Sequence, residues 1–197
     1  MLSNIRRILC VLVFLPTMAS VQGQQWQLDS ENAPVVTVTG TSTLHNWTVT
    51  CAEVQDVPGQ LTLDPGNSGH IAEFGFKVPV QGMDGGRGSS MNDKIFEAFN
   101  SSEHPMVTYQ QTAPASFTRS QSGELIITST GTLTMAGVDK SVEIECTGTV
   151  QDGKLTITGS KELKMSDFNM TPPSAMFGQI QTNDDVVVSY EFQYLEK

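Results

Sequence analysis

A chain of 197 residues with 21 acidic and 11 basic side chains carries a net charge of −10. That balance excludes a nucleic-acid binder and a protein held by charge on anionic lipid headgroups, because both depend on basic patches. Length and composition fit one domain with a sizeable core.

The chain opens with a targeting pattern. Arg6 and Arg7 precede an apolar run from Ile8 to Leu15, and Val21-Gln22-Gly23 suits cleavage before Gln24. The apolar run is too short to span a bilayer. The expected organisation is a signal peptide over residues 1–23 and one β-domain over residues 24–197. Export to the periplasm or the outside follows, with no stable membrane anchor. Two cysteines, Cys51 and Cys146, remain in the domain. An exported chain permits a disulfide between them, and two free buried thiols is the equal alternative.

The domain then alternates with period two. Val36, Val38, Gly40, Ser42 and Leu44 share one strand face, and Thr37, Thr39, Thr41 and Thr43 share the other. Threonine suits a wet pleated face. Phe74, Phe76, Val78 and Val80 repeat the pattern. A glycine-rich approach (Gly82, Gly85, Gly86, Gly88) leads to a helix over residues 90–100, capped by Ser89 or Ser90. Its apolar face carries Met91, Ile95 and Phe99, with Phe96 and Ala98 beside them. It is read as a plug or a lid at the mouth or flank of the sheet.

Further strands run over 125–135, 142–150 and 186–194, with turns expected at Ser122-Gly123, Gly137-Val138-Asp139 and Asp152-Gly153. Such a meander of about eight strands is expected to close into an antiparallel β-barrel and so remove its edges. Apolar-in, polar-out alternation buries the inner face. The small residues Gly40, Ser42, Gly131 and Gly148 read either as unfilled interior space or as bends.

Five stretches in order resemble the YceI family of exported lipid-binding proteins. They are Gly40 to Trp47, Phe76 to Val80 with the following helix, His104 to Tyr109, Gly131 to Lys140, and Met165 to Pro173 followed by Gly178 to Ile180 and Asp185-Val186. The resemblance implies a lipocalin-like barrel with one helix and a tunnel for a polyisoprenoid, such as an isoprenoid quinone tail. It departs at Asn169, where glycine is usual, and at Val107 and Tyr109, which replace Ile and Phe.

A prenyl chain offers apolar surface alone, so its site must be a greasy hollow. The lining candidates are Trp47, Phe74, Phe76, Ile95, Phe96, Phe99, Tyr109, Leu133, Met135, Ile144, Phe168, Met170, Met176, Phe177 and Ile180. His45, on the face of Trp47, is the candidate for a polar headgroup, with a structural histidine as the alternative. His45, His70 and His104 lack metal-ligand spacing, and no nucleophile motif appears. The expectation is therefore a non-enzymatic carrier that requires no cofactor, with an apolar lipid as partner. Whether it is a monomer or a homodimer stays open. A solidly packed interaction module and, less favoured, an enzyme using His45 on a bound lipid are the competing readings.

Overall fold

The computed structural model describes residues 23–55, 57, 58, 60–63, 66–71 and 74–197. The expected signal peptide lies outside these residues apart from Gly23.

Threonine- and valine-rich alternation produces strands almost throughout. They are β1 (Gln24–Leu28), β2 (Val35–Ser42), β3 (Asn46–Cys51), β4 (Gln60–Leu63), β5 (Ser68–Ile71), β6 (Gly75–Pro79) and β7 (Met83–Asp84). The helix α1 (Ser89–Phe99) interrupts them. There follow β8 (Met106–Gln111), β9 (Ala115–Arg119), β10 (Leu125–Met135), β11 (Val138–Gln151), β12 (Lys154–Lys164), β13 (Ser174–Ala175) and β14 (Ile180–Glu196). Every strand pairing is antiparallel.

The main path runs β5-β9-β10-β11-β12-β14-β2-β3-β7. The outer edge of β10 is shared by β8 and β9, and β6 adds to β8. The 17-residue β14 serves β12 along one edge and β2, then β1, along the other. Its register against β2 shifts between Thr182 and Val186.

This corrects the expected barrel in two ways. There are fourteen strands rather than about eight, because short segments such as β1, β4, β5, β7 and β13 pair separately along the long ones. The sheet also does not close. At the seam between β3 and β6, the described residues contribute one isolated bridge, Gln55 to Lys77. Pro79 ends β6 without an N–H to extend the ladder. Helix α1 packs there instead, over the turn Val80–Gly82 and β7.

Two hairpins show the turn chemistry. Asp152 and Gly153 both take positive φ (51° and 72°), as a two-residue turn between β11 and β12 requires. The β10–β11 turn uses Ala136 and Gly137 (49° and 77°), one residue earlier than expected.

The helix begins at Ser89 behind Gly88 and has no side-chain cap, so Ser89 and Ser90 are helical residues rather than caps. Its approach is tied down: the Gly85 N–H donates to Asn92 Oδ1 (2.9 Å), and Asn92 Nδ2 donates to Asp84 Oδ1 (3.2 Å). The glycine-rich stretch is therefore latched to the first turns of α1.

The lower interior is solid. Trp26, Leu125, Leu155, Phe192 and Tyr194 are completely buried, each contributing about 1.5–3 kcal/mol of burial. Cys51 and Cys146 are both free thiols, on β3 and β11. Burial pushes Cys51 up from 9.0 to about 12 and Cys146 up to about 11. Thiolate is therefore scarce in the folded protein. Iodoacetamide at pH 8 is expected to label neither cysteine in the native state and both in denaturant; rapid native labelling would contradict the burial. Because folding raises both pKa values, the thiols' stabilising contribution is full below about pH 8.5 and is lost as pH climbs toward the folded values.

Candidate ligand-binding site

Follow the inward faces of the long strands and the interior changes character. On β14, Val186 and Val188 face an open space, Tyr190 stands below them, and Phe192 and Tyr194 are packed solid. On β10 the same descent runs from Met135 to Leu133, Gly131, Ser129 and Ile127. On β12 it runs from Leu163 to Gly159, Ile157 and Leu155. The upper space is a cavity of about 350 Å³, within the range of small-molecule sites.

Its walls come from parts of the chain far apart in sequence. Val38 and Ser42 project from β2, Trp47 and Val49 from β3, Met135 from β10, Leu163 from β12, and Ile180, Thr182, Val186 and Val188 from β14. Helix α1 closes one side with Met91, Ile95, Ala98 and Phe99, beside Met83 of β7. The segment after β12 contributes Met165, Met170 and Pro173. That segment is pinned by Asp184, which accepts the Ser166 N–H at 2.8 Å and also the Ser166 hydroxyl; these bonds hold its carboxyl below the ordinary carboxylate range. Asn169 takes φ 55°, so it fills the left-handed position where the family resemblance expects glycine.

The polar lining is gathered at one end. Arg87, Ser90 and Ser174 are solvent-exposed, which places the mouth there, with half-buried His45 and Lys94. Arg87 Nη1 lies 2.9 Å from His45 Nε2, and His45 Nδ1 lies 2.9 Å from the Asn46 carbonyl. A guanidinium can only donate and a carbonyl can only accept, so the two contacts match the tautomer that carries its hydrogen on Nδ1 and accepts at Nε2. Lys94 Nζ donates to the Ser174 carbonyl at 2.9 Å, tying α1 to β13. Trp47 Nε1 donates to the Thr41 carbonyl at 3.1 Å.

Beneath the cavity lies an aromatic floor. Phe76 stacks at 5.7 Å from Tyr109 and from Phe192, and 6.5 Å from Tyr190. Tyr109 and Ser129 share a hydroxyl hydrogen bond of 2.7 Å. The Tyr190 hydroxyl lies against the Cys146 thiol, its polar neighbour in the floor. Burial raises both phenols above their ordinary pKa. A separate void of about 20 Å³ sits beside this floor, bounded by Phe74, Tyr109, Ile144 and Tyr190.

The structure thus sorts the expected residues. His45, Trp47, Ile95, Phe99, Met135, Met170 and Ile180 meet around the cavity. Phe74, Tyr109 and Ile144 border the small void instead. Phe76, Leu133 and Phe168 are buried core, and Phe96 packs against that core outside the cavity. Met176 and Phe177 do not line it: they are exposed at a turn tip.

The small residues also need correction. A Cβ on Gly40 would fall 2.2 Å from the Trp47 ring, one on Gly131 2.5 Å from Tyr109, and one on Gly159 2.2 Å from the Tyr190 hydroxyl. These glycines are seats for aromatic rings rather than empty space; Ser42 alone among the small residues singled out borders the cavity. Sequence reasoning missed Val38, Val49, Met83, Leu163, Met165, Val186 and Val188, although their alternation was visible. It also missed Arg87 and Lys94, whose convergence depends on Arg87 meeting His45 of the β2–β3 turn and Lys94 meeting Ser174 of β13. Among the described residues no three His, Cys, Asp or Glu side chains gather as a metal site.

Fold and cavity define an all-β protein of lipocalin-like build, an antiparallel sheet curved about an apolar hollow with one helix across the seam. A YceI-like domain model matches residues 26–194, and the chain belongs to that family. Among solved structures it is similar to BcnA of Burkholderia cenocepacia (16% identity, TM-score 0.64, covering 84% of this chain and 98% of that one). It is also similar to a polyisoprenoid binding domain from Saccharophagus degradans implicated in plant cell wall breakdown (10% identity, TM-score 0.58, 87% and 98% covered). The YceI protein of Campylobacter jejuni matches at 16% identity and TM-score 0.58, covering 76% and 84%. No curated protein matches the sequence.

Proposed function

We propose that this protein is a non-enzymatic carrier that binds the apolar chain of an isoprenoid lipid, of the polyprenyl or quinone kind, in the cavity, and does so in the periplasm or after secretion. The observation that carries the reading is the partition of the cavity: predominantly hydrocarbon walls, with the charged and ring-nitrogen groups of Arg87, His45 and Lys94 gathered at the mouth. A long apolar tail with one polar end matches that partition, the tail gaining roughly 0.8 kcal/mol per buried methylene before association costs. Met83, Met91, Met135, Met165 and Met170 give the wall a deformable surface suited to an irregular chain. The polyisoprenoid-binding domain similar in fold supports the same ligand class.

The cavity counts against a solidly packed interaction module. The enzyme reading finds little in His45, whose two ring nitrogens are engaged by Arg87 and the Asn46 carbonyl. The test is solvent extraction of protein purified from its own cells, followed by mass spectrometry. An isoprenoid in the extract, or stoichiometric uptake of added long-chain prenyl quinone, is the expected result. Clean protein that takes up no quinone would overturn the proposal.

A further inference from the structure

The β13–β14 turn breaks a rule of local chemistry. Met176 and Phe177 occupy its two central positions with φ 50° and 54°, and Gly178 N–H closes it on the Ala175 carbonyl at 3.1 Å. Such turns favour Asn and Gly, because both central residues are left-handed. Two large apolar side chains there gain nothing from packing: Met176 is 65% exposed and Phe177 fully exposed. A third exposed apolar residue, Leu44 (65%), sits on the β2–β3 turn. Its neighbour Thr43 is hydrogen-bonded to the same β14 segment, N–H to the Gln181 carbonyl at 2.9 Å and hydroxyl to the Gln179 carbonyl at 3.3 Å. Both turns adjoin the cavity mouth, since Ser42, His45, Ala175 and Ile180 are part of its lining.

We propose that Leu44, Met176 and Phe177 form a membrane-docking tip that dips into the surface of a lipid bilayer and brings the cavity mouth to the lipid. This rests on the carrier reading above and names the surface from which the ligand is exchanged. Three observations select a bilayer over a second copy of the chain. Three side chains fall well short of the roughly 800 Å² per partner of a stable dimer. A partner copy seated there would cover the mouth, whereas a bilayer supplies it. Arg87 and Lys94 stand at the same mouth, where lipid phosphates would meet them, on a chain of net charge −10. Apolar side chains at the acyl boundary with cations at headgroup level is the arrangement of interfacial anchors.

The test floats purified protein with vesicles of 3:1 phosphatidylcholine and phosphatidylglycerol, and separately follows transfer of a fluorescent farnesyl probe between vesicles and its uptake from buffer. Wild type is expected to float. Met176→Ser/Phe177→Ser and Leu44→Ser should each weaken flotation on the order of tenfold or more and slow transfer, with uptake from buffer unchanged. Phe177→Trp should keep flotation and shift its emission to the blue on vesicles. The proposal is overturned if wild type stays in the aqueous phase, if the double variant floats as well as wild type, or if the double variant converts a dimer to a monomer. Failure of probe uptake from buffer by wild type would instead count against the carrier reading, since flotation is read without any ligand.

Discussion

Val188→Trp is expected to leave a folded protein that no longer holds lipid. Val188 lies between Lys161 of β12 and Val38 of β2 in the ladder, so its backbone is fixed on both sides. Its side chain enters the cavity midway along the inner face of β14. An indole there takes space that a bound chain would use. Displacing one isoprene unit, five carbons, forfeits roughly 3–4 kcal/mol at ~0.8 kcal/mol per carbon, an affinity loss of at least about 100-fold. The fold has no comparable reason to suffer, because the indole enters a hollow and meets apolar walls; a change within about 1–3 kcal/mol bounds the repacking. Quinone uptake and thermal unfolding, measured side by side, check this. Undiminished uptake by a stably folded variant would move the lipid site out of the cavity.

The second large effect is on the floor. Tyr190→Ala should cost about 3–5 kcal/mol, as large-to-small changes at buried aromatics do, and lower the melting temperature by about 6–20 °C for a domain of this size. Tyr190 lines the small void, stands two residues along β14 from Val188 of the cavity wall, and stacks at 5.5 Å on Phe192. Removing the ring is expected to enlarge the void on the side of the cavity, so the longest prenyl chain taken up should increase even as stability falls. Tyr190→Phe supplies the control: it keeps the ring and deletes a hydroxyl whose polar neighbour is the Cys146 thiol, a weak hydrogen-bonding group, and should be close to neutral. If Tyr190→Ala unfolds no more easily than wild type, the aromatic floor is not a packed layer.

These two variants act at positions of differing visibility in the sequence. Val188 belongs to an alternating run whose inward face is readable without coordinates. Tyr190 sits on the same run, but its seat on Gly159 is a cross-strand pairing fixed by register between β12 and β14. The glycines were therefore visible as anomalies without being interpretable. Read locally, Gly40 and Gly131 look like missing volume or bends; in the sheet, that space is occupied by Trp47 and Tyr109. The same limit explains Phe177. Its apolar aromatic side chain places it among the expected lining residues, yet a tight turn carries it outward.

The sequence alone determined the all-β class, the helix, the Asp152-Gly153 hairpin and the family, because these depend on period-two patterning, turn residues and motif order along the chain. Tertiary structure alone decided that the sheet stays open, that the helix fills the seam, and that the hollow lies above an aromatic floor. It also brought Arg87, His45 and Lys94 to one mouth. The physical reason is that local backbone preferences act over a few residues, whereas a cavity is the space left over when distant side chains have packed. What remains empty depends on register, ring placement and strand pairing across residues 38 to 188, none of which a single stretch of chain encodes.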